Sequence, residues 1–139
     1  MNQLKEMIQA KLLESLQKID IHEIKDYDII LDEKPEFYFQ EGRTIFMDGD
    51  NYHVVALERG VVRFDKVYDS LHELMYELLG SYVVDKASDI AWEAVNGDYM
   101  QHEKYAQIFD KEKIRLFTLI DPEYGKWKAK EIEEMNAAD

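Results

Sequence analysis

The sequence predicts a single α+β domain over residues 1–139, and three observations predict it. Apolar residues recur at three- and four-residue spacing near the start, short β-branched and aromatic runs alternate with Gly, Asn and Asp in the middle, and the helical period returns after Asp69. The expected architecture is an N-terminal helix, an antiparallel β-meander of three to four strands, then three C-terminal helices. A chain of 139 residues is one domain's worth and can bury a single core.

In the first helix, Leu4, Met7, Ile8, Leu12, Leu16 and Ile19 line one face from about Asn2 to Lys18. From "IDIHEIKDYDIILDEKP" the pattern loosens, and Pro35 with its flanking acids marks a loop. The meander reads as "EFYFQ", "RTIFM", "YHVVALE" and "VVRFDKV". Glu41-Gly42, the run Asp48 to Asn51 and Arg59-Gly60 separate these runs, because Gly, Asn and Asp tolerate the positive φ of tight turns. After Asp69, Leu71, Leu74, Met75, Leu78, Leu79 and Tyr82 form one stripe, and Val83, Ala87, Ile90, Ala91 and Ala94 continue it on a rotated face. That rotation predicts a kink or break near Gly80-Ser81. Asn96-Gly97-Asp98 stops the second half, with Gly97 suited to the cap. A further helix starts near Tyr99, where the dense run Ile114, Leu116, Phe117, Leu119 and Ile120 defines no one stripe. Asp121 as cap and Pro122 at the first helical position open the last helix.

The net charge is −13 and is spread along the chain rather than gathered in a tail. Such a field repels phosphate backbones and anionic membranes, which disfavours nucleic acid and membrane surfaces as partners and permits a basic protein. Cysteine is absent, excluding disulfides, thiolate zinc sites and cysteine nucleophiles. The charges at Lys5, Glu6, Lys11 and Glu14 interrupt any signal-peptide core, and no apolar run approaches the length of a membrane span. A cytoplasmic protein is expected.

Motifs that carry chemistry are few. "SLHELMYELL" brings His72, Glu73 and Glu77 together, yet adjacent helical residues point more than a quarter-turn apart, and Tyr76 stands where a zinc hydrolase motif has its second histidine. Ser70 and Glu73 instead have capping-box spacing, with the Glu73 carboxylate reaching back to the Ser70 amide. Glu73 and Glu77 share an outward face opposite the apolar stripe. The run from Asp48 has the acidity of a calcium loop, but His53 and Arg59 stand where that loop needs glycine and a bidentate glutamate. Phosphate-binding and nucleophile-elbow motifs are missing. Core packing is the better reading of Trp92 and Trp127, and cross-strand packing that of His53. No catalytic, cofactor or metal residue is assigned.

The pieces "YHVVALERG", "SLHELMYELL" and "IRLFTLIDPEYGKWKAKEIEEM", in that order, are similar to the immunity protein 63 family of bacterial polymorphic toxin systems, over roughly Arg43 to Met135. The resemblance implies a non-enzymatic protein, encoded beside a toxin, that binds and blocks it; the acidic surface is compatible with this, being of the sign that steers a basic toxin such as a nuclease. The binding face is then expected at Tyr52, the Glu58-Arg59-Gly60 turn, and Glu73 with Glu77. Two rival expectations come from other classes. One is a metal-dependent enzyme with a dispersed site built from residues such as His72, His102 and Glu103; the other is an acidic regulatory module with a different protein partner.

Overall fold

The structure, a computed structural model, describes residues 3–26, 28–36 and 41–138. In chain order these form α1 (Gln3–Gln17), β1 (Ile29–Leu31), β2 (Gly42–Asp48), β3 (Asn51–Glu58), β4 (Val61–Tyr68), α2 (Leu71–Ala94), a 3-10 turn (Tyr99–Gln101), α3 (His102–Ile120) and α4 (Pro122–Ala137). The α+β class, the N-terminal helix and the three C-terminal helices are as expected. The residues pack as two compact units, one of 1–14 with 22–78, the other of 15–21 with 79–139.

The first unit holds the sheet, in the order β1-β2-β3-β4. Strands β2, β3 and β4 are an antiparallel meander, with Ile45 opposite Val54 and Val54 opposite Lys66. Gly49 turns the first hairpin at φ 66°, and Arg59 and Gly60 turn the second at φ 53° and 76°. Positive φ at both central residues is the type I′ requirement, so Arg59 is a non-glycine residue held left-handed. The Glu41 carboxylate accepts from the Arg59 amide at 2.8 Å and fastens it there.

The strand expected at "EFYFQ" falls mostly outside the described residues. A fourth strand forms instead from Ile29 to Leu31, inside the expected loop, and runs parallel to β2. Three residues are too short to display an alternation, and parallel pairing depends on a partner distant in sequence, so no local signal announces β1.

Both sheet faces are covered at the centre. Ile45 and Val54 on one face, and Phe46 and Val55 on the other, are buried, as are Leu4, Ile8 and Leu12 of α1 and Leu74, Met75 and Leu78 of α2. Met7, counted in the expected stripe, is exposed. Asp32 accepts from the Leu4 amide at 2.8 Å and the Gln3 amide at 3.3 Å, giving the first turn of α1 a carboxylate from 28 residues away.

Helix α2 runs unbroken through Gly80, correcting the expected break. Its buried positions Leu79, Val83, Ala87 and Ala91, with Val95 just past its end, advance by four residues at a time. Each such step turns the stripe about 40° around a helix of 3.6 residues per turn, so the apparent change of face is steady drift. Gly80 costs about 1 kcal/mol of helix propensity, too little to break a helix buried on this scale.

In the second unit Asn96 and Gly97 end α2, both at positive φ, and the Gly97 amide donates to Trp92 O at 2.9 Å. A 3-10 turn precedes α3, which starts at His102, three residues later than expected. Leu116, Phe117 and Ile120 are buried while Leu119 is exposed, which resolves the dense apolar run. Asp121 closes α3 through its amide and caps α4 by accepting from the Glu123 amide at 2.8 Å, with Pro122 following as expected. The Lys18 ammonium donates to Ile120 O at 3.1 Å, placing a cation at the negative end of α3. Both tryptophans are half-buried rather than core residues.

Candidate partner-binding face

Strand alternation puts Arg43, Ile45, Val54, Tyr52 and Tyr68 on one face of the sheet. The first two turns of α2 meet that face. Arg43 spans the two elements: its Nε and Nη2 donate to the two carboxylate oxygens of Asp28, each at 3.0 Å, and its Nη1 lies 3.9 Å from Glu77 Oε1. The paired contact to Asp28 is the fork geometry that suits guanidinium to carboxylate. One cation thus serves two carboxylates, and Glu73 stands exposed one helical turn before Glu77.

Tyr68, at the end of β4, points into this group. It is 6% exposed, and among the described residues its hydroxyl has no hydrogen-bond partner. Burial raises its pKa well above the ordinary tyrosine value; the Glu77 carboxylate, close but outside hydrogen-bonding geometry, raises it further, as does Glu73, against a lowering by Arg43. Burial likewise raises Tyr124 in the second unit, with Asp121 and Glu123 adding to it. A phenol whose folded pKa is raised contributes stability that is intact below about pH 10 and is lost as pH climbs toward the folded value. We therefore expect stability to fall above about pH 10, with Tyr68→Phe showing a shallower fall. Urea melts of both proteins at pH 7 and pH 10.5 check this, and parallel losses would refute it.

The structure divides the expected binding residues. Tyr52 lies directly across from Tyr68, whose hydroxyl feels Glu77 and Glu73, so these three belong to one neighbourhood. Glu58 and Arg59 lie at the other end of β3, six residues along a strand and so roughly 20 Å from Tyr52. Glu77 is not the freely solvated residue its helix position suggested, since it is half-buried against Arg43. The Ser70 hydroxyl accepts from the Glu73 amide at 3.2 Å as the capping box requires, while the Glu73 carboxylate reaches the Asp69 amide at 3.3 Å, one residue before the expected Ser70. His53 packs on Phe46 with ring centroids 4.8 Å apart and pairs with Asp65 across the β3–β4 ladder. Among the described residues, no three His, Asp or Glu side chains are grouped to hold a metal ion.

Sequence reasoning missed Asp28, Arg43 and Tyr68. An arginine inside an otherwise apolar strand was the available signal, because such a residue needs carboxylates close by. Among the described residues, no helix is long and apolar enough to cross a membrane.

Comparison with curated proteins gives no match, and neither does comparison with solved structures. The family model described as Immunity protein 63 matches residues 48–134, from the β2–β3 turn through most of α4. All five expected binding residues lie within that match, whereas Asp28 and Arg43 lie before it. With well over half of its length matched, this chain belongs to the immunity protein 63 family.

Proposed function

We propose that this protein binds and neutralises a cognate bacterial toxin in the cytoplasm, by occupation rather than catalysis. The match to immunity protein 63 across residues 48–134 carries this reading. The net charge of −13 supports a basic toxin as partner, because a field of one sign speeds encounter with the opposite sign. Tyr52, Glu73 and Glu77 form the proposed contact, and the Glu58-Arg59 turn a separate one.

Two measurements test the reading. Co-expression with the toxin domain encoded beside the gene should restore growth, and the purified pair should form a stoichiometric complex; continued toxicity without a complex would overturn it. For the placement, Glu73→Gln is the discriminating variant, since glutamine serves at that capping position while the charge is lost. Its association with the toxin domain should slow several-fold at low salt and depend less on ionic strength, at unchanged melting temperature. Unchanged association would remove Glu73 from the contact.

A further inference from the structure

Two large apolar side chains of the second unit stand almost wholly in water: Tyr99 is 80% and Met100 87% exposed. Their backbone is well fastened. The Asp98 carboxylate accepts from the Met100 amide at 3.0 Å and from Gln101 Nε2 at 3.3 Å, and the Gln101 amide donates to Asp98 O at 3.0 Å. Behind this tip runs a row of aromatic rings. Tyr99 sets its edge on Trp92 at 5.4 Å, Trp92 lies against Tyr105 at 4.2 Å, and Tyr105 stacks on Phe109 at 5.5 Å and 20°. The Tyr105 hydroxyl and Ser88 Oγ, 2.9 Å apart, fix the middle of the row. Trp92, Tyr105 and Phe109 are each half-buried, so the row keeps a side in water.

Scattered exposed apolar residues are ordinary, but a contiguous aromatic strip ending in a fixed tip is the composition of an interface anchor. The surrounding charge selects what it meets. Residues 85–104 hold five carboxylates and two lysines, and Lys86 is engaged with Ile19 O. Among the described residues, Asp89, Glu93 and Glu103 form no ion pair. A second copy would set this acidic rim against itself, and an anionic lipid surface is repelled by it. A basic protein is attracted, and its arginines can pack against the exposed Tyr99 ring.

The geometry points to the Tyr99-Met100 tip, with Trp92 and Tyr105 behind it, as an anchor for a basic surface of the toxin. This assignment rests on the toxin-binding function proposed above and adds a contact in the second unit. The tip is ordered before binding, so docking it involves little loss of chain entropy. The probe is the catalytically inactivated toxin domain encoded beside the gene, titrated against the full chain. The double variant Tyr99→Ala, Met100→Ala, chosen because neither side chain is buried, should raise Kd at least tenfold, chiefly through faster dissociation, with the melting temperature essentially unchanged. Glu93→Lys should slow association several-fold, most at low salt. A double variant that binds within twofold of wild type overturns the anchor while leaving the toxin-binding function intact. Failure of the wild-type chain to bind overturns that function and the anchor with it. If the double variant abolishes self-association in sedimentation and keeps toxin binding, the tip is a contact between copies and the assignment is wrong.

Discussion

Gly125→Ala is expected to destabilise the protein by about 2–3 kcal/mol, near the upper end for adding one methyl group to a packed interface. Gly125 is buried on the second turn of α4, where the helix passes α3. A Cβ built there would lie 2.8 Å from Thr118 Cβ and 3.0 Å from Thr118 Cα, and closer still to Thr118 Oγ1. The hydroxyl could rotate away, but Cβ and Cα move only with the α3 backbone, so the helices must separate. Glycine is thus kept inside a helix, against its propensity, because its missing side chain is the space α3 occupies. Urea denaturation of Gly125→Ala, Thr118→Gly and the double variant forms a cycle that should show a coupling above about 1 kcal/mol. Loss of less than about 0.5 kcal/mol in Gly125→Ala would show that the helices yield freely.

Arg43→Ala should cost about 2–3 kcal/mol, because it removes the cation that Asp28 and Glu77 share. Breaking a fully buried pair costs about 3–5 kcal/mol. The side chains of Arg43, Asp28 and Glu77 are 27%, 19% and 35% exposed, so water screens part of the effect. Arg43→Lys should recover less than half, since an ammonium cannot make both hydrogen bonds to Asp28. Arg43→Ala combined with Asp28→Asn should be more stable than Arg43→Ala alone, because one of the two stranded charges is gone. Thermal melts of the four proteins at low and high salt check the ordering. Equal stability of Arg43→Ala and wild type would reduce the cluster to a surface ion pair of little consequence.

The two sites differ in how far they could be read in advance. Ser70 and Glu73 follow a spacing rule, and Asp121-Pro122 another, so both helix starts were legible from residue types a few positions apart. Gly125 sits in "EYGKW" without local reason, since its constraint is Thr118 on the neighbouring helix. Glu77 looked solvated because helix geometry says only that it lies away from Leu74 and Leu78, and nothing of Arg43. Tyr99 and Met100 look like ordinary apolar residues at a helix start until their exposure is known.

By itself the sequence determined the α+β class, the meander β2–β3–β4, the caps of α2 and α4 and the family likeness, because each depends on periodicity or motif spacing within a short stretch. Only the tertiary structure decided the parallel pairing of β1, the Asp32 carboxylate at the start of α1, the Arg43 bridge from Asp28 to Glu77, and the contact at Gly125. Each of these joins residues whose meeting is set by how whole elements pack, and local periodicity carries no term for a partner on another element.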